Sequence, residues 1–403
     1  MNILVGQSGG PTAVINASVA GVYQAAVKAG ATVYGMRNGL AGLLEERIFS
    51  LNEVLDSDFK VELLKRTPAA FLGSCRYKLK KAEVDASDYE KVFAILKKYD
   101  IQCFFYIGGN DSMDTIAKLS AYGKTIGSDI RFIGVPKTID NDLMVTDHTP
   151  GYGSAAKFVA TTMKEVIRDA TVYDTSHITI VGIMGRHAGW LTAASALACG
   201  EDCAGADMIC LPETPFELEW FTDNVAEIQK RKKRIIIAVS EGVKLPDGRY
   251  VGSLSSEGQG LDAFGHTKLT GASQFLADLC INRLKTDARA IELSTLQRCA
   301  AHISSRTDVE EAYQVGAAAV HAALDGKSGM ATTLVRLSDD PYRFSTGLVE
   351  IDKIANYEKP VPLEWINEAH TGMNAEFLTY ARPLIQGELP PFYVNGLPYH
   401  ITL

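Results

Sequence analysis

The sequence predicts an α/β protein of two doubly wound lobes with mostly parallel sheets. Three observations carry that expectation. Short apolar runs alternate with longer amphipathic stretches, the runs are apolar throughout as in strands covered on both faces, and glycine-rich loops follow several of them. Open parallel sheets hold ligands at the C-terminal rim of their strands, where such loops lie. The chain has 403 residues, enough for two domains with a core each.

The expected strands are residues 2–6, 103–108, 131–136, 177–184, 207–211, 234–240, 291–296 and 331–337. Helix-like stretches at 12–29 and 165–173 lie between them. Four loops at strand ends stand out. GQSGGPTAVINA (6–17) places Gly9 and Gly10 before a helix, where backbone N–H groups can face an anion. GGNDSMDT (108–115) repeats the pattern but adds a carboxylate, Asp111; alternatively Asp111 or Ser112 caps the next helix. PKTIDND (136–142) sets Lys137 beside Asp140 and Asp142, which reads as a metal–phosphate site or as a polar turn with a cap. MGRHAGWL (184–191) flanks Arg186 with glycines at a fourth strand-to-helix turn. Asn110 and Lys137 are one βαβ crossover apart, so they are expected on neighbouring parallel strands.

Composition is that of an ordinary globular protein, 46% apolar and 22% charged with mean hydropathy +0.01. A net charge of −8 argues against nucleic acid as a general partner. The N-terminus shows neither the basic nor the long apolar region of a signal peptide, and no apolar run reaches membrane-spanning length, so a cytoplasmic protein without membrane attachment is expected. Seven scattered cysteines without a CxxC pair read as free thiols. The stretch 245–260, rich in Gly, Ser and charge, is expected to be a mobile loop. The basic run 230–234 reads as a solvated helix end or as a phosphate or RNA patch, and the stretch after Pro360 as a packed tail.

SGGPTAVIN, TPAAFLGSCRY, IGGNDSMDT, PKTIDNDL, DHTPGYGSAAKF, MGRHAGWL, SEG and LQR, in that order from Met1 to about Arg298, together resemble the phosphofructokinases. The resemblance implies the phosphofructokinase fold, with a donor lobe of residues 1–151 plus about 297–350. A fructose 6-phosphate lobe of residues 152–296 plus about 351–403 completes it. It also implies Mg2+-dependent phosphoryl transfer to the C1 hydroxyl of fructose 6-phosphate. Asp140 matches the catalytic base, and Thr138, Ile139 and Asp142 line the same pocket. Met184, Gly185 and Arg186 match the sugar turn, Glu241 a sugar-hydroxyl acceptor, and Thr295, Leu296, Gln297 and Arg298 the 6-phosphate segment, with Arg289 a second phosphate arginine. Gly10 and Arg76 match donor-phosphate contacts.

ATP-using relatives resemble one another in GGDGS and PGTIDND. Here Asp111 and Lys137 replace two of those glycines, which resembles the pyrophosphate-dependent subfamily. A carboxylate in the place of ATP's α-phosphate leaves pyrophosphate untouched. Against ATP it adds bulk and like-charge repulsion, roughly a few kcal/mol in a partly desolvated site. Lys137 offsets charge on the leaving phosphate. Asn110 stands where ATP-dependent relatives carry a Mg2+-linked Asp, so other carboxylates, Asp111 among them, are expected to share the metal. His177 and Thr295 replace an Arg and a His around the sugar phosphate. Two rival functions are an ATP-dependent kinase with a tolerant loop and a non-catalytic subunit that only binds sugar phosphates.

Arg289 and Arg298 flank the expected strand 291–296. Nine extended residues span about 30 Å, too far for both arginines of one chain to hold one phosphate. The resemblance implies that one arginine enters a neighbouring subunit's site. A homodimer or homotetramer with a shared active site follows, Arg289 acting in trans.

Overall fold

The computed structural model describes residues 1–255 and 271–403. Eleven strands build two main sheets among these residues. They are β1 Asn2–Gln7, β2 Thr32–Met36, β3 Ile48–Ser50, β4 Ile101–Gly108, β5 Arg131–Pro136, β6 His177–Ile183, β7 Met208–Cys210, β8 Arg234–Ser240, β9 Ala288–Glu292, β10 Met330–Asp339 and β11 Tyr342–Glu350. The first sheet runs β11-β10-β5-β4-β1-β2-β3 and the second β7-β8-β6-β9. The second is parallel throughout; in the first, only the pairs β2–β3 and β10–β11 are antiparallel. The central strands are buried along almost their whole length, as their unbroken apolar runs require.

The expected strands are all present, most within two residues of the expected ends. The exception is the last strand of the second sheet, expected at 291–296 and found at Ala288–Glu292. Ser294 adopts a left-handed φ of 43°, which ends the extended run, and Leu296 starts a short helix, Leu296–Cys299. Arg289 therefore lies inside the strand, and the extended 30 Å span does not apply. The helix expected at 165–173 is the end of a longer one, Tyr152–Ala170. Three strands had no expected counterpart: β2, an inner strand of five residues, and the edge strands β3 and β11, short in one case and half-exposed in the other.

Helix Arg306–Leu324 returns late chain to the first sheet. It packs on helix Ile15–Lys28 through two glycines: a Cβ on Gly21 would lie 2.0 Å from the Tyr313 carbonyl oxygen. A Cβ on Gly316 would lie 2.2 Å from that of Ser18. At its N-terminus the buried carboxylate of Asp308 accepts the N–H groups of Gly151 and Ser154 at 2.8 Å each, fixing the start of helix Tyr152–Ala170.

Of the loop expected at 245–260, residues 245–255 form a turn and a short 3-10 helix, with Val251 fully buried; residues 256–260 lie outside the described residues. The run 230–234 meets acids, Lys232 with Asp207 and Lys233 with Asp174. All seven cysteines are free. Among the described residues no helix is long and apolar enough to cross a membrane.

His148, 1% exposed, links the segment after β5 to the returning helix. Its Nδ1 lies 2.7 Å from Asp147 Oδ2 and its Nε2 2.6 Å from Glu311 Oε2. Burial works against its charge, but the Glu311 and Asp147 carboxylates outweigh it and hold its pKa up at about 9. A folded-state pKa above the unfolded value near 6.5 gives stability that is fully present below about pH 6.5. That stability is lost as pH rises through about 9, roughly 3 kcal/mol in all. Urea unfolding at pH 6 and pH 9.5 checks it: the wild-type chain is expected to lose stability between the two, and a His148→Gln chain to lose that dependence. Equal slopes in both chains refute the assignment.

Candidate active site

β1, β4 and β5 lie side by side, with Gln7 level with Ile107 and Gly108 level with Pro136. Their C-terminal ends deliver the loops 8–12, 109–112 and 137–142 to one place. There they line a cavity of about 240 Å3 together with Arg76, Met184 and Arg298. Eleven of the residues matched from sequence line it, and Gly9, Pro11, Gly109 and Ser112 complete the lining. Gly9 has a φ of 76°, and a Cβ there would lie 3.5 Å from Lys137 Nζ. Gly108 is required because Ser112 packs on it: a Cβ would fall 1.9 Å from Ser112 Oγ.

Lys137 is 2% exposed, and its ammonium donates to the carbonyls of Ser8 at 3.0 Å and Gly10 at 2.6 Å. Burial pushes its pKa down to about 8, against the pull of Asp140. Asp111 sits in the first turn of helix Asn110–Thr125 with its side chain 47% exposed, 3.7 Å from Lys78 Nζ. Gly109 is the N-cap and no side chain caps this helix, so neither Asp111 nor Ser112 has the capping role that the sequence allowed. Lys78, two residues after Arg76, was not singled out from sequence; the Arg-x-Lys spacing was the available signal.

Burial raises the Asp140 carboxyl above the usual carboxylate range, and Lys137 opposes that rise. Burial also raises Asp142, with Asp140 adding to it. Thr138 Oγ1 accepts the Asp140 N–H at 3.2 Å and lies 3.4 Å from Asp140 Oδ2, which orients that carboxylate. Two buried polar atoms in the cavity have no partner, the acceptor Asn110 Oδ1 and the donor Arg298 Nε. An orphaned acceptor beside Asp111 fits a cation, and an orphaned guanidinium N–H fits an anion. Among the described residues no three His, Cys, Asp or Glu side chains form a ready metal cage. A hard divalent cation here would use Asn110 and Asp111 and take further oxygens from a bound phosphate.

The second sheet supplies the other wall. After β6 the chain turns at Gly185, whose N–H donates to Glu241 Oε1 at 3.3 Å. Burial, then Asp140, pushes Glu241 up to about 7. Gln297 is buried and accepts the Met184 N–H at 3.3 Å, so its side chain holds the turn. Arg186 is half-buried at the same turn. Arg298 reaches across to the donor side, with Nη1 3.4 Å from where a Cβ on Gly10 would lie. Thr295 and Leu296 are exposed. Arg289 lines no part of the cavity: it lies on the outer strand β9, paired with Asp169 at 3.0 Å and Thr179 at 3.3 Å.

Comparison with known proteins follows the same lines. Residues 2–323 match the Phosphofructokinase family. A pyrophosphate–fructose 6-phosphate 1-phosphotransferase of Methylococcus capsulatus is 40% identical over all of this chain and 96% of its own. Two crystal structures of pyrophosphate-dependent phosphofructokinases, from Nitrosospira multiformis and Marinobacter aquaeolei, superpose with TM-scores of 0.89 and 0.86. Each is 37% identical, covering 99% of this chain and 95% of its own. With motifs at the C-terminal ends of β1, β4, β5, β6 and β8 and a match along most of its length, the chain belongs to the phosphofructokinase family.

Proposed function

We propose that this chain transfers a phosphoryl group reversibly from pyrophosphate to the C1 hydroxyl of fructose 6-phosphate, giving fructose 1,6-bisphosphate and phosphate. The observation that carries the choice of donor is the pair Asp111 and Lys137 on neighbouring loops of one small cavity. Asp111 is about half exposed, so its charge is screened, and its bulk at the loop contributes more to excluding an α-phosphate than repulsion does. An ATP-dependent kinase would need room where Asp111 and Lys137 stand. A non-catalytic subunit would need no raised carboxyl at Asp140.

In this reading Gly10, Arg76, Asn110, Asp111 and Lys137 hold the donor. Thr138, Ile139, Asp140 and Asp142 with Met184, Gly185, Arg186 and Glu241 hold the sugar; Thr295 and Leu296 serve its phosphate end, Gln297 supports the Met184 turn, and Arg298 lies between sugar and donor. Asp140 takes the C1 hydroxyl proton while the C1 oxygen bonds to the near phosphorus and the bridging P–O bond breaks. A carboxyl raised by burial is a better base near neutral pH. Inorganic phosphate leaves beside Lys137 and Arg76. Mg2+, held at Asn110 and Asp111, would neutralise charge on the pyrophosphate oxygens. Residues 1–151 with about 297–350 form the donor lobe, and 152–296 with about 351–403 the sugar lobe. The free cysteines are consistent with work in the cytoplasm.

Arg289 points away from its own cavity, which supports a shared site in a homodimer or homotetramer.

Steady-state assays with pyrophosphate and ATP side by side test the reading. Pyrophosphate is expected to be far the faster donor, and faster turnover with ATP refutes it. Replacing Asp140 with Ser is expected to lower kcat by about 1,000-fold or more with sugar-phosphate binding kept. A retained rate removes Asp140 from its role. Changing Asp111→Gly together with Lys137→Gly is expected to admit ATP as a poor donor and to collapse pyrophosphate use. An unchanged donor preference would sink the selector role. For assembly, Arg289→Ala and Asp140→Ala chains are unfolded and refolded together. Shared sites predict recovery to about a quarter of wild-type activity, because half the dimers regain one intact site; no recovery means that each site is built in cis.

A further inference from the structure

Four consecutive residues behind the cavity, 358–361, take no part in the chemistry above, yet they touch both of its walls. The Lys359 N–H donates to the Asp142 carbonyl at 2.7 Å. The Lys359 carbonyl accepts the Trp190 indole N–H at 2.8 Å. The Val361 N–H donates to Glu213 Oε1 at 2.9 Å, and the same oxygen accepts the Gly189 N–H at 2.8 Å. Glu358 lies 3.5 Å from His187 Nδ1. One side of this stretch thus holds the loop after β5, which carries Asp140 and Asp142. The other side holds the turn after β6, which carries Met184 to Arg186.

The side chains behind it complete the brace. Lys359 Nζ donates to the carbonyls of Thr146 at 3.1 Å and Asp147 at 2.7 Å, and lies 5.3 Å from the centre of a Trp190 ring. Tyr380 accepts from Asn141 Nδ2 at 2.9 Å and donates to the Asp147 carbonyl at 2.9 Å. Asn141 lies between the two acids at a left-handed φ of 56°, and its Oδ1 accepts the Thr149 N–H at 2.9 Å. Both polar groups of that side chain are therefore tied to the C-terminal segment and to the chain leading into helix Tyr152–Ala170. Asp140 and Asp142 project from a loop whose middle residue cannot move alone.

We propose that residues 358–361, with Tyr380, form a strap that sets the spacing between the base loop and the sugar turn, and that Lys359 is its positioning residue. The idea rests on the phosphotransfer reading above, since it assigns Asp140 its partner across the cleft. The donor contacts Gly10, Asn110 and Asp111 lie on the loops after β1 and β4, which the strap does not touch, and Lys137, on the loop after β5, is anchored separately by the Ser8 and Gly10 carbonyls. Loss of the strap should therefore lower kcat and leave the KM for pyrophosphate nearly unchanged. A second effect is electrostatic. Asp140, Glu358, Lys137 and Lys359 are the charged groups facing Asp142, and the two lysines favour its ionised form. Asp140 is faced in turn by Lys137, His187 and Arg298 and, from the end of β8, by Glu241. Removing the Lys359 ammonium makes the acid pair harder to ionise and moves the acid limb of kcat to higher pH.

The test compares Lys359→Met, Lys359→Arg and Tyr380→Phe in the full chain, with Mg-pyrophosphate and fructose 6-phosphate as substrates. Lys359→Met is expected to lower kcat by about tenfold or more, with the KM for pyrophosphate within about twofold and the acid limb displaced upward. Lys359→Arg keeps the charge and should restore most of the rate and the wild-type limb. Tyr380→Phe should lower kcat by about threefold to tenfold. A Lys359→Met enzyme with kcat within about twofold of wild type and an unmoved acid limb overturns the proposal, whatever its melting temperature. If that variant does not fold, a Tyr380→Phe rate equal to wild type overturns it instead. A wild-type chain without pyrophosphate-dependent activity would fail the functional reading and is a separate outcome from either.

Discussion

The ammonium of Lys137 donates to the carbonyls of Ser8 and Gly10, and the geometry of the donor site hangs on those two bonds. A buried cation is costly unless its hydrogen bonds and charge are matched. Here two backbone dipoles and the nearby Asp140 supply that match. The consequence is mechanical as well as electrostatic. The loop after β1 cannot drift from the loop after β5 without stranding the ammonium. The glycines at 9 and 10 let the chain come this close, and Gly9 takes its positive φ to do so. A phosphate cradle that would otherwise be a pliable glycine turn is held by a side chain two strands away.

The same burial that lowers Lys137 raises Asp140, Asp142 and Glu241. A site with several ionisable groups and little water keeps each near the point where it can give or take a proton. Lys137 and Asp140 oppose one another's shift, so neither can be altered without moving its partner. A bound polyanion would favour the charged lysine and would add to the basicity of the carboxylate.

Much of this arrangement was legible because it is local or separated by one crossover. Glycines after an apolar run mark a strand-to-helix turn, and one βαβ unit brings Asn110 and Lys137 to neighbouring strand ends. What the sequence hid was direction. Lys137 was expected to face the ligand, and its ammonium also binds backbone. Gln297 was matched to the sugar-phosphate segment, and its side chain holds the Met184 N–H. The register of β9 was misplaced because Ile291, Leu293 and Leu296 look like one apolar run, while the left-handed turn at Ser294 splits it. The stretch after Pro360 held no motif, so nothing local marked Tyr380 as a neighbour of Asn141. Contacts of that kind, 239 residues apart in the chain, exist only once the lobes have folded.

Asp111 and Lys137 were read from sequence as one device, and the structure separates their physics. Lys137 is buried and donates two of its three N–H groups to backbone carbonyls, so its position is fixed before any ligand arrives. Asp111 is half-exposed at the start of a helix, in a long, solvent-exposed ion pair with Lys78 at 3.7 Å. An exposed carboxylate discriminates weakly by charge, because water and salt screen it. It discriminates well by occupying volume beside an anchored loop. The selector at position 111 therefore depends on the anchor at 137: a carboxylate on a loop free to move would be pushed aside by a larger donor. In the proposed reading, donor choice in this cavity is set by rigidity first and charge second.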